Sequence, residues 1–232
     1  MQRICLLVPV YKPQPFWASN LLQKTREFET FCQFPIEKWV ISDGKAFGHW
    51  QEGLNELEYQ GWRILQTPKN QGKGAALRYA FTSVQADAYV FTDADFPYQP
   101  ENAAHMVKQI LSGHDLVFGK RQPDYLQALP AKRRLISAWL KWFNSNLLKL
   151  PHPDTQCGLK AFSQKGKKLL LKTKSSGFAF DLELAILANR QSTLHWSSFD
   201  VTLREELHFS DMPVKLLIRE GLALLKSLNF KK

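Results

Sequence analysis

Along the first half of the chain, short apolar runs rich in branched and aromatic residues alternate with stretches of helical spacing. Residues 4–10, 39–42, 63–67, 88–92 and 115–119 read as strands, because each is brief and nearly continuous in apolar side chains. Between them, residues 18–32, 51–59, 73–84 and 101–111 repeat apolar positions every three or four residues, the spacing of an amphipathic helix. Strand and helix alternating at this pitch predict right-handed βαβ units and a mainly parallel sheet flanked by helices, an α/β fold of Rossmann-like type. Ligands of such sheets bind beyond the carboxyl ends of the strands. The unusual polar residues fall there: Pro9-Val10-Tyr11, Asp43-Gly44, residues 68–74 and Asp93-Ala94-Asp95. No internal repeat, low-complexity tract or linker interrupts the 232 residues, so a single domain over 1–232 is expected.

Two of these strand ends carry chemistry. The strand Tyr89-Val90-Phe91 runs directly into Asp93 and Asp95. In the turn that ends a strand, two carboxylates spaced by one residue can reach one hard divalent cation, Mg²⁺ or Mn²⁺. Such an ion completes its sphere with diphosphate oxygens and water, so two acids suffice. An acidic turn capping the next helix is the plainer alternative. The second segment is Asn70-Gln71-Gly72-Lys73-Gly74, which matches neither a Walker A loop nor a dinucleotide fingerprint. Its glycines allow close backbone approach, and Lys73 falls in the first turn of a helix. A cation there opposes the helix dipole unless an anion docks beside it.

Charge sharpens the picture. The net charge is +10, and residues 120–174 hold thirteen Lys and Arg against two acids, Asp124 and Asp154, a local net of +11. Such a block suits an anionic partner or a solvated basic face. Within it, residues 131–150 predict an amphipathic helix. Arg133, Arg134, Ser137, Lys141, Asn144 and Ser145 share one side, and Leu135, Trp139, Trp142, Phe143, Asn146 and Leu147 lie near the other. Such a helix suits a membrane interface, or a core with its basic side in water. Three widely spaced cysteines, Cys5, Cys32 and Cys157, fit a reducing compartment. No apolar stretch approaches the roughly 18 residues a spanning helix needs. A cytoplasmic protein is expected, at most peripheral on the cytoplasmic face of a membrane.

Six motifs occur in order: Pro9-Val10-Tyr11, Ser42-Asp43-Gly44, Asn70-Gln71-Gly72-Lys73-Gly74, Asp93-Ala94-Asp95, Asp154-Thr155-Gln156-Cys157-Gly158-Leu159-Lys160 and Phe178-Ala179-Phe180-Asp181-Leu182-Glu183-Leu184. With them the chain, from Ile4 to about Arg204, resembles family 2 glycosyltransferases, especially the dolichyl-phosphate mannose and glucose synthase branch. The resemblance implies a glycosyltransferase-A fold and inverting transfer from a UDP- or GDP-linked sugar. It also implies a divalent metal and a polyprenyl phosphate acceptor. By the same resemblance, residues 1–119 form the nucleotide-sugar half and 120–232 the acceptor half. Pro9, Tyr11 and Asp43 would line the nucleoside pocket, Asp43 accepting from base or ribose. Lys73 would lie near the diphosphate, and Asp93 and Asp95 would face the metal. Asp154, Gln156 and Lys160 would border sugar and acceptor, with Asp181 and Glu183 on the segment closing that pocket. Arg133 and Ser137 match a pair that contacts the lipid phosphate. Asp95, Asp154 and Asp181 are thus the catalytic candidates.

The chain departs from the family in places. Lys12-Pro13 stands where Asn-Glu is usual, Ser42 where an acid often precedes Asp43, and Pro97 where the synthases carry a glutamine. A phosphate acceptor is largely ionised near neutrality and needs no strong base. A hydroxyl acceptor would need one, and Asp154, Asp181 or Glu183 could serve. A non-catalytic sugar-nucleotide- or nucleic-acid-binding protein is a further reading, the latter using the basic block but leaving Asp93 and Asp95 unexplained. Nucleic acid is not an expected partner, since no such motif is present.

Overall fold

The structure is a computed structural model that describes residues 2–122, 131–152, 154–177 and 179–204. Seven strands form one sheet: β1 (Ile4–Val10), β2 (Ile36–Ser42), β3 (Arg63–Gln66), β4 (Ala88–Phe91), β5 (Leu116–Arg121), β6 (Lys160–Phe162) and β7 (Trp196–Val201). Their spatial order is β3-β2-β1-β4-β6-β5-β7. All neighbours are parallel except β6, which runs antiparallel to both β4 and β5. The helices are α1 (Trp17–Phe31), α2 (His49–Tyr59), α3 (Lys73–Ser83), α4 (Pro100–Leu111), α5 (Ala131–Asn146), α6 (Gln164–Leu170) and α7 (Ala179–Arg190).

Alternation along β1 explains the layers, since successive side chains point to opposite faces. Ile4, Leu6, Val8 and Val10 join Leu21 and Phe28 of α1, Leu54 of α2 and Val107 of α4. Cys5 and Leu7 face the other way, toward Leu77 and Phe81 of α3 and Phe180 of α7. A strand buried on both faces is apolar throughout, which is why β1 and β4 read so clearly in sequence. Because α1 and α3 cover opposite faces, the chain changes direction between β1 and β4. That is where a parallel sheet opens its ligand crevice.

The first nine expected elements form within three residues of their expected ends. β6, β7 and α6 were not expected. β6 is three residues long, too short to show a period. β7, Trp196-Ser197-Ser198-Phe199-Asp200-Val201, is half polar and belongs to the sheet through its parallel pairing with β5. α6 starts at Ser163, whose Oγ accepts from the backbone N–H groups of Lys165 and Gly166.

Candidate active site at the carboxyl ends of β1 to β4

The turn after β2 presents Asp43, and it is buried. Its Oδ1 accepts from the Gln71 backbone N–H at 2.8 Å and the Thr67 hydroxyl at 3.2 Å. Its Oδ2 accepts from the Gly72 N–H at 2.8 Å and Asn70 Nδ2 at 3.0 Å. A carboxylate has about four acceptor positions, and protein donors take all four. Through them Asp43 shapes the loop before α3. Pro9 is half-buried at the end of β1. Tyr11 stands half-exposed at the rim, its ring 5.8 Å from that of Trp50 and perpendicular to it.

The glycines of that loop serve close packing against protein. The carbonyl of Ser176 accepts from the Gly74 N–H at 2.8 Å and the Ala75 N–H at 3.4 Å. A Cβ on Gly72 or Gly74 would lie 2.5 or 2.6 Å from the carbonyls of Ser176 and Ser175. The start of α3 is therefore capped from within by the Ser176 carbonyl. The anion-seeking group that remains is Lys73. Its ammonium is 2.5 Å from Asp93 Oδ1. Burial works against its charge, but Asp93 and then Asp181 outweigh that and hold its pKa above the ordinary lysine value.

Asp93 and Asp95 sit together just past β4. Asp93 keeps 41% of its side-chain surface open, enough to meet a ligand. Asp95 presents surface to solvent. Yet the protein packed around it, with repulsion from Asp93, pushes its carboxyl up to about 6. Two oxygen-donor groups crowded until one resists ionisation make a place that a hard divalent cation relieves. Among the described residues, no cluster of three or more His, Cys, Asp or Glu forms a closed cage. Asp93 and Asp95 thus fit Mg²⁺ or Mn²⁺ that completes its sphere from diphosphate and water. The Asp95 carbonyl also accepts from Lys24 of α1 at 2.9 Å.

The remaining candidate acids are spoken for. Asp154 is buried and receives Arg121 side-on, with Nη2 2.5 Å from Oδ1 and Nε 2.9 Å from Oδ2. The Arg121 backbone N–H adds a third bond at 2.7 Å, and Lys141 lies 3.8 Å away. Burial opposes this charge, but Arg121 prevails and holds the carboxyl below its usual range. Lys160 is fully buried and bonds Asp181 Oδ1 and the Cys157 carbonyl, each at 2.6 Å. Asp181 is the third residue of α7 and is itself buried. Glu183 accepts from the backbone N–H groups of Lys174 and Ser175, at 2.9 and 2.7 Å. Asp154 and Asp181 thus lie in buried ion pairs, with Arg121 and with Lys160. Gln156 is half-buried beside them.

The Asp154 arrangement predicts an acid response. A carboxyl whose folded pKa is depressed adds stability that is complete above its unfolded value, about 3.9. That stability is lost as pH falls through the lower folded value. In Asp154→Asn, the slope of unfolding free energy against pH should flatten below about pH 4. Urea titrations at pH 3, 4 and 6 check this, and an unchanged slope would contradict the pairing.

Sequence reasoning missed Arg121 and Ser176. Arg121 had a signal, being a cation ending a buried strand within the basic block. The Ser176 contact runs through a backbone carbonyl, which sequence does not mark.

On α5, Phe143 and Asn144 are buried and Ser137 and Lys141 half-buried, while Leu135, Trp139 and Trp142, together with Leu147 just past its end, are 55–71% exposed. The polar line of this helix turns partly inward, Asn144 Nδ2 approaching the Thr155 hydroxyl at 3.4 Å. The aromatic line faces out. Arg133 belongs to α5, but its side chain falls outside the described residues, and so does its expected phosphate contact.

Comparison with known proteins places this geometry. The family model for glycosyl transferase family 2 matches residues 14–167. The chain belongs to that family. It is 30% identical to the glycosyltransferase AglD of Haloferax volcanii over 81% of this chain and 31% of that protein. It is 28% identical to the dolichyl-phosphate beta-glucosyltransferase of Saccharomyces cerevisiae, over 66% of this chain and 52% of the relative. The chain thus spans about a third to a half of the length of these two relatives. Among solved structures, glucosyl-3-phosphoglycerate synthase from Mycobacterium tuberculosis, in complex with Mn²⁺, UDP and glucosyl-3-phosphoglycerate, superposes with a TM-score of 0.66. That match covers 98% of this chain and 78% of the other at 17% identity. Mannosyl-3-phosphoglycerate synthase from Rubrobacter xylanophilus gives 0.70 at 15% identity, covering 97% and 72%. The fold is glycosyltransferase-A.

Proposed function

We propose that the protein is an inverting glycosyltransferase that moves a sugar from a nucleotide-diphospho-sugar, UDP- or GDP-linked, to a polyprenyl phosphate. Residues 1–119 hold the donor and 120–232 the acceptor, within one domain. One observation carries the choice of acceptor. Asp154, Asp181 and Glu183, the acids that could deprotonate a hydroxyl, are each bound by buried cations or backbone N–H groups. A group held below its ordinary pKa, as Asp154 is, makes a poor base. A phosphate monoester brings its own negative oxygen. That oxygen attacks the anomeric carbon from the face opposite the leaving group, and the bond to the diphosphate breaks as the new one forms. The names of relatives that are dolichyl-phosphate glucosyltransferases support the same acceptor class.

Asp93 and Asp95 would hold Mg²⁺ or Mn²⁺, which supplies charge compensation for the departing diphosphate. Lys73, beside them, supplies a further positive charge without exchanging a proton. Tyr11 and Pro9 border the nucleoside. Thermal-shift titration with UDP- and GDP-sugars tests donor use, since a ligand that binds only the folded state raises Tm. Stabilisation that requires Mn²⁺ or Mg²⁺ is expected with one base class. No stabilisation by either class would defeat the reading.

The outward aromatic line of α5 supports residence on an anionic membrane, and the proposed location is its cytoplasmic face. Among the described residues, no helix is long and apolar enough to cross a membrane. Trp139 and Trp142 lie with Leu135 and Leu147 on one exposed surface, and Arg134 is exposed on the same helix. Losing an apolar contact of about 1.5 kcal/mol per tryptophan corresponds to roughly tenfold in partition each. Trp139→Ser with Trp142→Ser should therefore weaken co-sedimentation with anionic liposomes about a hundred-fold, and added salt should weaken the parent protein's binding. Unchanged binding by the double variant would remove α5 from the interface.

A further inference from the structure

The carboxylate of Asp93 is seated from two sides. Lys73 holds Oδ1, and the other oxygen lies against the backbone of Gly158, in the loop before β6. A Cβ placed on Gly158 would stand 1.9 Å from Asp93 Oδ2, 2.7 Å from its Cγ and 3.4 Å from Oδ1. Outside Cys157 and Leu159, its neighbours in the chain, these are the three nearest atoms, so every other such heavy atom lies at 3.4 Å or beyond. Gly158 does not have the positive φ that reserves a position for glycine. The missing side chain therefore serves one neighbour, Asp93.

The peptide carrying this seat is fixed from beneath. Cys157, one residue before, gives its carbonyl to the buried Lys160 ammonium at 2.6 Å, and Asp181 of α7 holds that ammonium at the same distance. Lys160 begins β6, which lies beside β4, the strand that leads into Asp93. The buried pair, the Cys157 carbonyl and the Gly158 backbone thus form a continuous support under the carboxylate.

We propose that Gly158 is a positioning residue. Its bare backbone sets the side-chain conformation in which Asp93 points toward the cation site, and the Lys160–Asp181 pair holds that backbone in place. The proposal rests on the reading of Asp93 as a metal-facing group. A methyl at 158 leaves no room for the seated carboxylate, so Asp93 must rotate away. Metal affinity should then fall while the sheet and core persist.

The test uses Gly158→Ala, Asp93→Ala and the double variant in the full chain. Binding of Mn²⁺ is followed by electron paramagnetic resonance in the presence of UDP, and Tm is followed without metal. Gly158→Ala should raise the Mn²⁺ dissociation constant at least tenfold. It should also lower Tm in the parent background but not in the Asp93→Ala background, where the methyl meets nothing outside its chain neighbours closer than 3.4 Å. A merely structural glycine would lower Tm equally in both backgrounds, and that result overturns the proposal. So does parent-like Mn²⁺ affinity in Gly158→Ala when Asp93→Ala loses it. Should Asp93→Ala itself bind Mn²⁺ normally, the metal reading of Asp93 fails first, and the Tm cycle alone decides whether Gly158 seats the carboxylate.

Discussion

Asp95→Asn is expected to reduce sugar transfer about a thousand-fold while leaving the fold intact, the scale seen when a preorganised charge-stabilising group is removed from a reaction centre. The change keeps side-chain volume and removes one of the two carboxylates that crowd each other past β4. In the metal-free protein that crowding is a cost, because Asp93 and the protein around Asp95 together resist its ionisation. The variant should therefore melt at or above the parent temperature without metal, and should lose the extra stabilisation that metal and donor confer together. Steady-state kinetics across Mn²⁺ concentrations, paired with thermal melts, check both halves. Parent-like turnover would remove Asp95 from the reaction.

Lys160→Met is expected to produce the largest loss of stability. It leaves Asp181 buried without its cation, and breaking one side of a buried pair costs about 3–5 kcal/mol. For a chain of this size that corresponds to roughly 6–20 °C in Tm. The Cys157 carbonyl also loses its donor, so the loop carrying Gly158 should loosen. Replacing both partners with apolar residues, Lys160→Met with Asp181→Leu, should recover much of the loss, since no uncompensated charge remains. Urea unfolding monitored by tryptophan fluorescence measures this. A single variant as stable as the parent would contradict the buried pair.

The first half of the fold was legible because its chemistry is local. β1 and β4 are buried on both faces and so carry unbroken apolar runs, and α1 to α4 carry clear helical spacing. The rim residues Tyr11, Lys73, Asp93 and Asp95 stood out as candidates partly by position, since the ends of parallel strands collect ligand-facing groups. What sequence could not show was which acids are already paired. Nothing in Asp154 itself reveals that Arg121, thirty-three residues earlier, closes on it. Asp43 looked like a ligand group because it follows a strand, yet its four acceptor positions turn toward the loop before α3. Lys160 sits in a basic block that suggested exposure, whereas it is fully buried and spanned by the rings of Phe91 and Phe118. On α5 the alternation of basic and aromatic residues was visible, but only packing shows that the tryptophans look outward.

The pairing of those acids leads to the central claim, that the acceptor supplies its own negative oxygen. The most direct measurement offers the purified protein, with donor and Mn²⁺, two acceptors of the same short polyprenyl chain, one ending in phosphate and one in a hydroxyl. Mass spectrometry of the extracted lipid reads the products. The account predicts a polyprenyl phosphate sugar from the first and none from the second, with transfer abolished by EDTA. Glycosylation of the hydroxyl-ended chain, or of soluble hydroxyl acceptors, with the phosphate left untouched, would contradict it.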